Sequence, residues 1–211
     1  MIKKEDVQAS TASDATDKLF GSVDDYHVIN YKKSPFVLYQ NFFSHSICDK
    51  ILSLAELYHY EKFNDKKSSY EYIDLRKRFL NKNLKWIINP LDKLVKDANN
   101  KNFLLDITQI EHMAIKKFCI DDGLDWHHDC DWWYNPFPYD KKLTIVVELS
   151  DALDFTGGNY LEFMSTVPIP QQYFTKGSVL IFPCYNYYSL SPITKGNRNL
   201  LFLNVIGPKF K

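Results

Sequence analysis

From residue 103 onward the chain consists almost entirely of short runs of β-branched and aromatic residues cut by turn signals, and this alternation limits the folds open to it. "FLLDITQI", "IEHMAIKKFCI", "LDWHHDCDWWY", "KLTIVVELS", "GNYLEFM", "GSVLIFP" and "RNLLFLNVIG" read as strands. Between them stand "DDG", "NPFPYD", "FTGG", "FTKG" and "TKGN", whose Gly, Pro, Asp and Asn punctuate a chain that keeps reversing. Roughly eight short strands in succession predict a sandwich or barrel.

The upstream half reads differently. "FVLYQNFF", 36–43, is a further strand candidate, and "SICD", 46–49, resembles a capping box. Ile47, Ile51, Leu54 and Tyr58 then fall on one helical face. Residues 61–83 are charged and irregular. In "NPLDKLVKDA", Asn89 as cap and Pro90 at the first helical position predict a second helix whose buried stripe is Leu91, Leu94, Val95 and Ala98. The expected fold class is therefore α+β, with helical support over 44–100 and a β core over 103–210. A length of 211 residues suits one core, so residues 26–211 are read as a single domain. Residues 1–25, rich in Ser, Thr, Ala and Asp, are read as a polar arm.

Composition removes some function classes. Lys plus Arg equals Asp plus Glu at 26 each, so no net field steers the chain to nucleic acid or an anionic membrane. No apolar run approaches the roughly 18 residues a membrane helix needs, and the N-terminus lacks the apolar centre of a secretory signal. An intracellular location is the expectation. Cys48, Cys119, Cys130 and Cys184 form no CxxC pair, and free buried thiols are expected in preference to disulfides.

The stretch that concentrates chemistry is "WHHDCDWW", 126–133. On a strand alternate side chains share a face, so His127, Asp129 and Asp131 point one way and His128 and Cys130 the other. His127 and Asp129 together offer one imidazole and one carboxylate, donors suited to Fe(II). The plain alternative is a strand with a hydrogen-bonded histidine and a surface aspartate.

The order of "WHHD", "KLTIVVELSD", "FTGGNYLEF", "KGSVLIFP", "SPITKGNR" and "IGPKF" resembles the 2-oxoglutarate/Fe(II)-dependent oxygenase superfamily, near its prolyl 4-hydroxylase-like branch, over residues 103–210. The resemblance implies a double-stranded β-helix, or jelly roll, with N-terminal supporting helices and with Fe(II) and 2-oxoglutarate as cofactors. It puts His127 and Asp129 on the first two iron-binding positions. It puts Arg198 on the basic residue that clamps the distal carboxylate of 2-oxoglutarate, a task that suits a guanidinium's paired donors. Thr194 or Asn197 would assist, and Gly157 and Gly158 match the family's structural turn. Trp126, Trp132 and Trp133 flank the site, as substrate lining or as packing. "RKR", 76–78, is expected to be a solvated turn.

One family position is not met. The third iron ligand is a histidine ten residues before the basic clamp and five after "FP", and both spacings reach Tyr188. The six histidines (His27, His45, His59, His112, His127 and His128) all lie at or before residue 128, so no realignment supplies one. A phenol, with an ordinary pKa of about 10, must lose a proton to become a strong ligand. His112 is expected about 20 Å down the preceding strand, and Asp131 one pleat further along. Phe118 replaces a tyrosine that some relatives carry nine residues before the iron-binding histidine.

Two functions follow from the resemblance. One is an incomplete-triad, non-catalytic or impaired descendant used for binding or assembly, with the arm engaging a protein partner or another copy; a phage virion component is its concrete form. The other is an active 2-oxoglutarate-dependent dioxygenase that hydroxylates a protein side chain such as proline.

Overall fold

The computed structural model of the chain describes residues 9–10, 28–29, 36–65, 67–78, 83–130, 135–159 and 171–210. Most of the arm, Asp131, Trp132, Trp133 and most of "GNYLEFM" lie outside the described residues. The elements run β1 (Ala9–Ser10), β2 (Val28–Ile29), β3 (Val37–Tyr39), α1 (His45–Ala55), β4 (Glu61–Asn64), β5 (Ser69–Asp74), α2 (Leu75–Arg78) and α3 (Lys85–Ala98). The β core follows as β6 (Gln109–Phe118), β7 (Leu124–His127), β8 (Tyr139–Glu148), β9 (Phe155–Gly157), β10 (Val179–Pro183), β11 (Tyr188–Leu190), β12 (Ile193–Gly196) and β13 (Arg198–Pro208).

Nine strands form the large sheet, in the order β1-β2-β3-β10-β8-β13-β6-β5-β4, and the pairs β11-β7 and β12-β9 form the opposing layer. All strand pairs are antiparallel. This is the double-stranded β-helix expected from the resemblance. β8, β10 and β13 are apolar on both faces because both faces are covered. Ile145, Val147, Val179, Ile181, Leu201 and Leu203 meet the helices. Val146, Leu180, Phe182, Leu200 and Phe202 point into the jelly roll, against Phe155, Tyr188, Leu190 and Ile193. The period-2 alternation of each strand thus builds two cores at once.

Several local expectations are corrected. α1 is capped by Ser44, whose hydroxyl accepts from the Ile47 amide at 3.4 Å, and not from within "SICD". α3 begins at Lys85 and contains Pro90 in its interior. The residues before the proline carry Ile87, which is fully buried, and burial of that face outweighs the backbone hydrogen bond that proline cannot donate. The stripe Leu91, Leu94, Val95 and Ala98 is buried as predicted. Within 61–83 lies the β4–β5 hairpin; α2, which holds "RKR", follows it. The exposed side chains of Glu61–Asn64 conceal that strand in the sequence. "FLLDITQI" is strand only from Gln109, because Asn99–Phe103 continues α3 as a π-helical turn that Leu104 ends in the left-handed conformation.

Cys130 and Cys184 form a disulfide, with Cα atoms 5.5 Å apart, while Cys48 and Cys119 are free. This corrects the expectation of four thiols. The register explains the pairing: the Asp129 amide donates to the Cys184 carbonyl at 2.9 Å, which sets the two cysteines side by side. No helix among the described residues is long and apolar enough to cross a membrane.

Candidate functional site: a jelly-roll pocket closed by its own side chains

β7 does not fold back on β6. The "DDG" turn, with Asp121 at φ 68°, carries the chain out of the large sheet, and β7 pairs instead with β11, with Tyr188 opposite His127. That pairing brings the histidine, the aspartate and the tyrosine together. The rings of His127 and Tyr188 lie 4.2 Å apart. Nε2 of His127 stands 4.0 Å from Asp129 Oδ1.

The state of His127 follows from its partners. Nδ1 lies 2.7 Å from the Asp125 carbonyl, which only accepts, so Nδ1 carries the proton. Burial pushes the imidazole's pKa below its ordinary value, against the opposing pull of Asp129. The neutral ring therefore keeps its Nε2 lone pair on the side of Asp129, the tautomer a metal ligand requires.

Asp129 is already occupied. Tyr188 donates its hydroxyl to both carboxylate oxygens, at 3.2 Å each, and Thr144 donates to Oδ2 at 2.5 Å. Thr144 is itself within 3.4 Å of the Asn204 amide. Tyr188 is fully buried, its ring edge-on to Phe182 at 5.1 Å. Where the resemblance puts a third ligand, the chain has a packed phenol that stabilises a carboxylate as a hydrogen-bond donor.

Arg198 shows the same closure at the other end of the pocket. Opposite Phe118 on β6, it is 1% exposed. Its Nε and Nη2 donate to Oε2 of Glu148 at 2.8 and 2.6 Å, and Nη1 donates to the Gly158 carbonyl at 2.6 Å. Glu148, equally buried, lies one strand away on β8. The guanidinium edge expected to clamp a cosubstrate carboxylate is engaged by a carboxylate of the chain itself. Burial raises the Glu148 pKa and the arginine opposes the rise. Phe155 and Phe174 cover the guanidinium from 4.9 and 5.6 Å.

Gly157 and Gly158, at φ 85° and 60°, make the turn that delivers this carbonyl. A Cβ on Gly157 would lie 2.5 Å from the Pro192 carbonyl oxygen, so glycine is required there both for the conformation and for the approach. Thr194 and Asn197 are exposed, and the arginine's three hydrogen bonds described above go to Glu148 and Gly158. Phe118 is fully buried. Trp126 is 41% exposed at the rim.

A cavity of about 650 Å³ is bordered by Asp129, His112, Lys116, Tyr70 and Phe202. His112 therefore faces the same cavity as Asp129, yet no three His, Cys, Asp or Glu among the described residues are close enough to hold an ion. Arg76, expected in a solvated turn, lines this cavity and pairs with Glu111 at 3.6 Å. Sequence reasoning missed Glu148, Thr144 and Lys116. The available signal was a charged or hydroxylated residue at an inward-facing position of an otherwise apolar strand.

No protein-family model matches the sequence, and no curated protein matches it. Solved structures do resemble it in fold. A viral collagen prolyl hydroxylase from Paramecium bursaria Chlorella virus-1, in complex with 2-oxoglutarate, is 15% identical with a TM-score of 0.65, covering 83% of this chain and 97% of that one. A Pseudomonas putida prolyl-4-hydroxylase is 9% identical with a TM-score of 0.65, covering 84% and 95%. A Trichoplax adhaerens prolyl hydroxylase is 15% identical with a TM-score of 0.63, covering 83% and 84%. The chain has the fold of the 2-oxoglutarate/Fe(II) oxygenases, prolyl hydroxylases among them; identities this low speak for the fold alone.

The residues present do not fit the cofactor pair that this fold houses elsewhere. Two donors about 2.1 Å from one ion at right angles sit about 3 Å apart, and the Tyr188 hydroxyl is bonded to both of the aspartate oxygens such an ion would use. The guanidinium is likewise committed to Glu148.

Proposed function

We propose that this chain is a non-catalytic descendant of a 2-oxoglutarate/Fe(II) oxygenase, kept as a binding or assembly module. The observation that carries this reading is the Tyr188 hydroxyl on both oxygens of Asp129. The Glu148–Arg198 pair supports it independently, because it satisfies the second anchor of the lost reaction with a protein carboxylate. A single loss of function could be a tolerated defect. Two filled anchors instead engage both the carboxylate and the guanidinium with the chain's own side chains. The polar arm, residues 1–25, is the segment we assign to a protein partner or to another copy, and a virion component is the concrete form of that role.

The competing reading is an active 2-oxoglutarate-dependent dioxygenase acting on a protein side chain such as proline. The tautomer of His127 favours it, since the Nε2 lone pair faces Asp129. Turnover separates the two. With Fe(II), ascorbate, 2-oxoglutarate and a proline-rich peptide, the wild-type protein releases no succinate above a protein-free control. Enzyme-dependent succinate from the wild type would overturn the proposal.

A further inference from the structure

The 650 Å³ cavity lies within the size range of small-molecule sites, about 300–1,000 Å³, and its charges are not balanced by the protein. Asp74 is met by Lys77 at 3.6 Å, Glu111 by Arg76 at 3.6 Å, and Asp129 by Tyr188 and Thr144. Lys116 is different. It projects from β6 on the same face as the buried Phe118, with its Nζ 4.5 Å from the Tyr70 ring centre and 4.1 Å from that of Phe202. Among the described residues no carboxylate, carbonyl or hydroxyl makes a hydrogen bond or ion pair with it. Burial pushes its pKa down to about 8, with Asp129 opposing the fall and Lys141 adding to it, so the ammonium is still the main form at neutral pH.

A partly buried ammonium held only by two ring faces has given up water for weak partners. An anion entering the cavity restores the lost interaction. The walls indicate the body of that anion: Tyr70, Tyr72, Tyr139, Phe137 and Phe202 all border the space, and Phe137 stacks on Tyr139 at 5.3 Å at its exposed rim. Of the four cations that border the cavity, Arg76, Lys77, Lys116 and Lys141, Lys116 is the one without a hydrogen bond or ion pair among the described residues, and with several aromatic faces around it the space matches one acid group on a flat apolar frame. We infer that the cavity is a binding site for a small aromatic or otherwise planar carboxylic acid, with Lys116 as its counter-charge and Tyr70 and Phe202 as its flanking faces. This goes beyond the proposed function and does not depend on it, because neither iron nor 2-oxoglutarate takes part.

The test uses 4-fluorobenzoate as probe and the full chain treated with a chelator, read by fluorine NMR. The expected result is saturable binding with a dissociation constant of about a millimolar or tighter, as suits a ligand of this size. 4-Fluorobenzamide, the same shape without the charge, binds at least tenfold more weakly. Lys116→Met loses at least tenfold in affinity for the acid, Lys116→Arg retains most of it, and Lys195→Met on the exposed surface binds as the wild type does. A folded Lys116→Met that binds as tightly as the wild type overturns the inference. So does equal binding of the amide, or no saturation in the wild-type protein. If Lys116→Met fails to fold, the acid–amide comparison on the wild type decides the matter alone. Because chelator is present throughout, this outcome is separate from that of the succinate assay.

Discussion

Glu148 is the residue whose placement changes the site's chemistry most, and it is the hardest to see in the sequence. In "KLTIVVELS" it reads as one polar residue at the end of an apolar strand. In the fold it faces Arg198 with both groups 1% exposed. His127 and Asp129 stand out in the sequence because their spacing along one strand puts them on one face, whereas Tyr188 and Arg198 are singled out only through the resemblance; the structure brings His127, Asp129 and Tyr188 together and buries Arg198. Glu148 and Thr144 act only through register between strands, which the sequence does not state. Removing one partner of such a pair strands the other. Arg198→Met is expected to cost about 3–5 kcal/mol at neutral pH, measured as a loss in urea stability. The cost shrinks on acidification, as Glu148 takes up a proton instead of remaining a lone buried charge. Arg198→Met combined with Glu148→Leu recovers most of the loss, because a matched apolar pair is often as stable as a buried ion pair. At the other anchor, Tyr188→Phe removes a donor from an ionised acceptor and is expected to cost about 1.5–3 kcal/mol. Tyr188→His is expected to tighten Co(II) binding by tenfold or more, followed calorimetrically, yet to release no succinate while Glu148 still holds Arg198.

Among the elements, β7 and β11 do the positioning. They are a short pair that would fray alone, and three features hold them. The Cys130–Cys184 disulfide links the segments beside Asp129 across a separation of 54 residues. The Asp129 amide bonds to the Cys184 carbonyl, and the tyrosine packs against Phe182. Reduction is therefore expected to lower stability by about 2–4 kcal/mol, read as a shift of the urea midpoint with and without dithiothreitol and matched by Cys130→Ser. Lack of any shift would mean the cysteines are not paired in solution. The disulfide was invisible to sequence reasoning because two cysteines so far apart carry no spacing signal. The β4–β5 hairpin was missed for another reason: its outer strand buries nothing, so no alternation marks it. The start of α3 was misplaced because Pro90 is most at home at a helix's first position, whereas here the preceding turn buries Ile87. By contrast β8, β10 and β13 were read nearly to their ends, since strands covered on both faces write their burial into continuous apolar runs.

At the scale of the whole molecule, the jelly roll builds two cores on its large sheet. The helices and one face of the sheet form the first, and the strands of the opposing layer meet the other face to form the second. A cavity opens beside Lys116. His112, which borders it, ties stability to pH. Burial holds the His112 pKa below its ordinary value, with Lys116 and Lys141 lowering it further against Asp74. The unfolded chain therefore binds the proton first. The stability from the neutral ring is complete above pH of about 6.5 and is lost as pH falls below it. His112→Gln is expected to flatten that slope in urea titrations between neutral and mildly acid pH, and an unchanged slope would remove His112 as its source. The central claim, that Tyr188 and Glu148 have taken the places of ligand and cosubstrate, is tested most directly by anaerobic titration of the wild-type protein with Fe(II) and 2-oxoglutarate under visible absorption. The account predicts no metal-to-ligand charge-transfer band beyond that of the free chelate; a saturable band at micromolar iron would contradict it.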